Sequence, residues 1–465
     1  LNLITILFKM SSYFDYLQTL FRKDYYDFDR ADIDLKNFHP QLFNVLGVNG
    51  ILFSEKKTIW RYIYTNIIYF INSHAGPVGE HSDYSLATEC FCYFMVVAAV
   101  PIANISMALN IPVLVQQVEK MNNDFHVICK LKNRRAFLDG QLIIWKLSAG
   151  WLAFVVLVCS VYSTLPLFTL SYQTLFTTQD ENSIRPLVFP VWLPNENPYR
   201  TPIYEIFLVL ETIWVLCFAQ TFGAYIYILF HILLHYCIIL DMITLDFNVL
   251  FDGLEESVIS LHRYNPQRVE VQNTLNRRVG RIVEMHLSML EAVQTVSSVY
   301  GVSLMHQITV SCPVVCLSAY QVVEKLENGR VDIVFIILGI ACILQLWISC
   351  YLGTIITNKA FAVADACWNC KWQETSLGQL VREDIILIIM RSQQPVTIKF
   401  VGLPQVGLET FSSVITRDFF LRTLFRKRLS LGLPWPGKKM TPYLPRHKYL
   451  DWAGYAIVTL LPYLL

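Results

Sequence analysis

Few residues in this sequence have the chemistry to bind or transform anything, and the sharpest of them sit where charge is expensive. Glu211 lies inside a long apolar stretch, about one and a half helical turns from Glu205. Inserting an acidic side chain at the centre of a membrane helix costs about 2.5–3.5 kcal/mol, against about 0.3–0.6 kcal/mol gained for each Leu, Ile or Phe. The apolar neighbours of Glu211 can offset that cost, but the carboxyl must face a bundle interior or water. It serves either a ligand pocket or an interhelical hydrogen bond. Glu409 poses the same choice in a second apolar stretch, and there a water-filled pore is favoured. His231 and His235 stand four apart, a spacing that allows a shared metal but more often marks satisfied interface residues. Cys367 and Cys370 form a CxxC without a second pair, whereas a structural zinc needs four ligands. HExxH, Walker A and GxSxG patterns are missing. The expectation is a chain that is no enzyme, with no catalytic residues, no cofactor and no metal.

The composition says what must hold these residues. Of 465 residues, 54% are hydrophobic, 14% aromatic and only 16% charged, against about 25% charged in soluble domains. Mean hydropathy is +0.43. The net charge of +1 offers no electrostatic footprint for nucleic acid. Most of the 12 cysteines lie within apolar runs, where they act as small hydrophobes rather than a disulfide framework. The implied partner is the lipid membrane, and the implied class is a polytopic all-α bundle.

A spanning helix needs about 20 mostly apolar residues. Stretches 90–118, 147–178, 212–240, 292–323 and 333–358 contain no Asp, Glu, Lys or Arg and supply spans two to six. Each overruns the bilayer at one end. Span one, 62–79, is more polar. Span seven, within 399–416, is amphipathic around Glu409, as a helix facing water or partners is. Segments 1–61, 110–146, 241–286 and 358–398 carry 23 Lys and Arg, against four in the intervening loops. That asymmetry puts the N-terminus in the cytosol and, with seven spans, the C-terminus outside. The chain divides into a cytosolic segment 1–59, spans one to six with their loops over 60–357, a cytosolic amphipathic helix in 358–395, a seventh span over 396–416 and an atypical tail, 417–465. No signal peptide is evident, so span one directs insertion. Residues 1–9, which precede the first methionine, Met10, read as a gene-model extension. The Asn104 sequon falls inside span two.

Two further stretches look helical beyond the membrane. Leu275, Val279, Ile282, His286 and Leu290 share one helical face, as do Leu377, Leu380, Val381, Ile385, Ile388 and Ile389. Neither polar face is strongly basic, which favours a packed cytosolic assembly over a helix lying on lipid. Aromatic residues are dense in the outer halves of the spans: Phe91, Phe94, Tyr162, Trp214 and Phe335. Ordinary packing accounts for any one of them. Together with Glu211 they outline an apolar pocket for a small volatile molecule.

Several motifs occur in a specific order. The loop PLVFPVWLPNENPYRTPIYEIF (186–207) precedes span four. ADACWNCKWQETS (364–376), RSQQP (391–395) and GLPQVGLETFSSVI (402–415) follow span six, and LGV (46–48) precedes span one. This series resembles the insect odorant (olfactory) receptor family over roughly residues 38–415. Gustatory receptors carry a TY…QF element where this chain has LETF. A G-protein-coupled receptor needs the opposite orientation, and a carrier needs inverted repeats, which are not evident.

The resemblance implies an odorant-specific subunit of a ligand-gated, non-selective cation channel in the plasma membrane of a sensory dendrite. It implies a hetero-tetramer with a shared odorant co-receptor subunit and extended cytosolic helix ends that anchor the subunits to one another. The odorant pocket lies in the outer half of the bundle, and the pore helix carries Val406, Glu409, Thr410 and Ser413. The tail departs from the family after Ile415. Its nine Lys and Arg conflict with an outside location, and Arg426 and Arg428 would repel a permeating cation. A mis-joined final exon is the expectation there, which would leave the chain as written without function.

Overall fold

The computed structural model describes residues 33–49, 51, 84–131, 133–176, 185, 187–189, 199–327, 329, 331–398 and 405–416. Span one and the tail lie outside the described residues. Every regular element described is helical. Two short helices, α1 (Leu35–Phe38) and α2 (Pro40–Val48), are followed by α3 (Tyr84–Val97), α4 (Ala99–Leu109), α5 (Ile111–Ile128) and α6 (Arg134–Phe176). Then come α7 (Ile203–Asn248), α8 (Pro266–Glu327), α9 (Ile333–Asn369) and α10 (Arg382–Ser392). A last helix, α11, covers 408–416.

Spans two to six appear as helices long and apolar enough to cross a membrane: Thr88–Leu109, Arg134–Phe176, Ile203–Asn248, Pro266–Glu327 and Ile333–Asn369. Several far exceed a bilayer. The 62 residues of α8 make about 93 Å of helix, against a hydrocarbon core of about 30 Å. The surplus forms a base, built from the ends of α6–α9 together with α1, α2, α5 and α10. At the opposite end, the top, lie the described loop residues 185 and 187–189.

Helix α7 is the hub, packing against α4, α5, α6, α8 and α9. Its composition explains the position. From Thr221 to Leu240 it is apolar or aromatic on all sides, and nearly every residue there is buried. A helix without a polar face has to be surrounded. Helices α6 and α9 instead expose Val156, Leu157, Phe168, Ile340 and Trp347, the apolar surface a bilayer covers.

Of the stretch predicted as span seven, residues 399–404 lie outside the described residues, 396–398 and 405–407 are irregular, and 408–416 are helical. The Val406 N–H donates to the Ile398 carbonyl at 3.2 Å, and the Leu408 N–H to Thr354 Oγ1 at 2.9 Å. Gly353 permits this approach, since a Cβ there would stand 2.2 Å from the Val406 carbonyl oxygen. The two amphipathic stretches of the sequence are packed as expected. Leu275, Val279 and Ile282 of α8 and Leu377, Val381 and Ile385 before and within α10 all enter the core.

Candidate functional site

The top is built on aromatic rings from five places. Tyr93 of α3 lies 5.3 Å from Phe335 of α9 and 5.1 Å from loop residue Phe189, centroid to centroid. Phe189 meets Trp214 of α7 edge-on at 5.2 Å. Tyr162 of α6 donates its hydroxyl to the Val334 carbonyl at 3.0 Å and packs against the same cluster. Cys92, Val314 and Leu338 complete the apolar wall. Such edge-on and tilted ring pairs add about 0.5–1.5 kcal/mol each beyond their burial.

An ionic clasp closes this end. Lys325, at the end of α8, pairs with Asp332 at 2.9 Å and Glu89 at 3.4 Å and lies 5.7 Å from the centroid of the Phe335 ring. Asp332 also caps α9 by accepting the N–H groups of Val334 and Phe335. One ammonium thus ties the tops of α3, α8 and α9.

Glu211 is only 2% exposed. Its Oε2 accepts the Val188 N–H at 2.8 Å and the Phe189 N–H at 3.4 Å, so the carboxyl seats the loop over the cluster. Glu205, by contrast, is exposed and pairs with Arg185 at 3.4 Å.

Of the aromatic residues expected at a pocket, Tyr162, Trp214 and Phe335 converge here with Glu211. Phe91 is half-buried, while Phe94 is 43% exposed. Tyr93, between them in sequence, takes the inward position. Tyr93 and Phe189 escaped sequence analysis. From Cys90 to Val97 helix α3 is apolar on every side, so its inward face there has no periodic signal, and Phe189 belongs to a loop without regular spacing.

The predicted pore residues divide between two faces. Val406 and Thr410 are buried against the chain's own bundle, and Thr410 Oγ1 donates to the Gln405 carbonyl at 2.6 Å. Glu409 and Ser413 are exposed, as are Ser412 and Thr416, which fall on the same helical face.

The base holds a different constellation. His39 Nε2 donates to Gln141 Oε1 at 3.1 Å, Gln141 Nε2 donates to His235 Nδ1 at 3.0 Å, and His235 Nε2 donates to Asp124 Oδ2 at 3.2 Å. This chain of hydrogen bonds joins the α1–α2 corner to α6, α7 and α5. Burial, followed by the neighbouring His231, holds the His39 imidazole well below its ordinary pKa of 6.5. His231 turns its Nδ1 to the Tyr227 carbonyl at 3.1 Å and Ser148 Oγ at 3.2 Å. The two α7 histidines therefore serve separate hydrogen bonds. Among the described residues no group of three or more His, Cys, Asp or Glu is placed to hold a metal. The Cys367 thiol donates to the Ile385 carbonyl at 3.7 Å and the Cys370 thiol to the Cys367 carbonyl at 3.1 Å, packing contacts at the α9–α10 junction.

This architecture has counterparts. Odorant receptor 67c of Drosophila melanogaster is 25% identical over 246 residues, which cover 52% of this chain and 55% of that protein. Odorant receptor 13a of the same species is 24% identical over 159 residues, 32% of this chain and 38% of that protein. The chain thus spans about half the length of the first of these relatives and less of the second. In structure, the insect olfactory receptor OR5 from Machilis hrabei superposes with a TM-score of 0.60 at 15% identity, covering 84% of this chain and 98% of that one. The same receptor in complex with eugenol gives a TM-score of 0.61 at the same identity and coverage. At that identity the likeness establishes the seven-helix receptor fold. The profile of the 7tm Odorant receptor family matches residues 140–417, more than half the sequence, and by that match the chain belongs to this family of multi-pass membrane receptors.

Proposed function

We propose that the protein is the odorant-specific subunit of an odorant-gated, non-selective cation channel. The observation that carries this is the aromatic cluster at the top. Rings from α3, α7, α9 and a loop meet around one buried carboxyl, which suits a small volatile molecule with few polar groups. The relative solved with eugenol supports a ligand of that kind. Phe91, beside the cluster on α3, is a candidate for its rim, and Phe94 is a candidate contact from the outer face of that helix.

The exposed stripe of Glu409, Ser412, Ser413 and Thr416 supports a pore-lining role for α11, with Thr410 on its packing side and Val406 buried just before the helix. The base exposes Phe361 and Trp368, which line a cleft of about 230 Å³ with Ile389, and it exposes Leu387 and Met390 on α10, an apolar surface that suits contact with neighbouring subunits. With the base in the cytosol, the partner is a shared co-receptor subunit in a hetero-tetramer at the plasma membrane. Odorant opens the pore through its higher affinity for the open state. Glu211 couples the two ends, since it belongs to the hub helix that runs to the base and holds the loop over the cluster.

The test is co-expression with and without a co-receptor, with an odorant panel and current recording. Odorant-evoked cation current that depends on the co-receptor is expected. A response that needs a G protein, or a tag at the N-terminus accessible from outside the cell, overturns the proposal. Truncation after Ile415 compared with the full chain separates a defect of the tail from a defect of the receptor.

A further inference from the structure

Two polar atoms in the aromatic cluster have no partner among the described residues. Glu211 uses only Oε2 on the loop, and its Oε1 is buried and unpaired. Trp214 is 3% exposed, and its indole Nε1–H is likewise buried and unpaired. The two residues stand three apart on α7, so they are neighbours on one helical face. Both also hold the same loop residue: Phe189 gives its N–H to Glu211 and meets the Trp214 ring edge-on. The nearest described loop cation, Arg185, is turned away. It pairs with the exposed Glu205, donates to Thr201 Oγ1 and lies against the Tyr204 ring.

A buried donor and a buried acceptor left unpaired on one helical face are costly, and native structures seldom keep both without a reason. The geometry points to a polar subsite in which Glu211 Oε1 and Trp214 Nε1–H together recognise the hydroxyl group of an alcohol or phenol odorant. The inference rests on the odorant-receptor reading above and names the ligand class for that site.

Donor and acceptor counts select the hydroxyl. An indole N–H only donates, so the ligand atom needs a lone pair. A carboxylate oxygen only accepts, so the same ligand atom also needs a hydrogen. A hydroxyl has both. It also accepts from the acid form of the carboxyl, but so do an ether and a ketone, so the selection for a hydroxyl is that of the ionised carboxylate. An ether, ester or ketone leaves the carboxylate unmatched, an ammonium leaves the indole unmatched, and a hydrocarbon leaves both.

The test uses the full chain with its co-receptor, purified in lipid nanodiscs, and reads binding as thermal stabilisation by matched probes. The pairs are benzyl alcohol against benzyl methyl ether, and para-cresol against para-methylanisole. The hydroxyl member is expected to bind about ten- to a hundredfold more tightly. Glu211→Gln and Trp214→Phe are each expected to reduce that ratio severalfold. If Glu211→Gln fails to fold, Trp214→Phe, which leaves the Val188 and Phe189 hydrogen bonds in place, decides alone. Equal binding of both members, no binding by either pair, or a ratio that survives the substitution overturns the inference. Hydroxyl-selective binding without evoked current upholds this subsite and removes the channel reading, whereas evoked current without hydroxyl preference does the opposite.

Discussion

The base and the top of this bundle are held by opposite means. At the base, polar side chains are buried and linked into a chain from His39 through Gln141 and His235 to Asp124. Nearby, Arg281 binds Asp246 at 3.0 Å. At the top, the interior is aromatic, the ionic clasp is partly exposed, and Glu211 and Trp214 retain unpaired atoms. The base is not fully satisfied either, since His39 Nδ1 and His231 Nε2 are buried without a partner among the described residues. What sets it apart is linkage: its hydrogen bonds run through four elements and rigidify them together, whereas Glu211 reaches one loop. The base is thus organised to hold one arrangement, and the top is tied more loosely.

The strongest way to break the base is at Gly353. Valine there meets the Val406 carbonyl, and displacing that segment is expected to cost about 3 kcal/mol or more, read as lost thermal stability and surface expression. His235→Ala comes next, because it removes packing and leaves Asp124 and one end of Gln141 without a partner. A loss of about 3 kcal/mol is expected in a melting experiment. Arg281→Ala is expected to cost about 2 kcal/mol. That is below the 3–5 kcal/mol of a fully buried pair, because Arg281 keeps 34% of its side chain in water while Asp246 keeps 5%.

A pH titration sharpens the contrast. His39 is neutral when folded and takes a proton near pH 6.5 once released. Its contribution is therefore complete above that pH and is lost as pH falls below it, by at most about 1.4 kcal/mol per pH unit. Melting in buffers spanning that region, with His39→Gln as the control that flattens the dependence, checks the sign. The smallest effect is expected at the top. Lys325→Met removes a clasp that is about a third exposed, so stability is expected to change by about 0.5–1 kcal/mol, while odorant response times, recorded electrically, shift more than melting does. A top that proves as costly to disturb as the base removes the distinction.

Much of the fold was legible because membrane insertion is decided locally. Spans two to six follow from uninterrupted apolar length, and each is a helix in the structure. Their ends were less legible. The apolar run of α7 continues past the membrane into the base, where Gln141 and Ser148 meet His235 and His231, since protein rather than lipid covers it there. Part of the site was legible for a similar reason: Glu211 stands out as an acid in an apolar run. Tyr93 does not, because its neighbours Phe91 and Phe94 look the same in sequence.

The sequence by itself determined that this is a helical membrane protein of the odorant receptor family, since apolar length, charge asymmetry and ordered motifs are properties of short segments. Only the tertiary structure decided which way each residue faces. It turned Tyr93 inward rather than Phe94, buried Thr410 of α11 and Val406 just before it, and left Glu211 and Trp214 with one unpaired atom each among the described residues. The physical reason is that a helix apolar on all sides carries no periodic record of its inner face, so the choice falls to the neighbours that close around it.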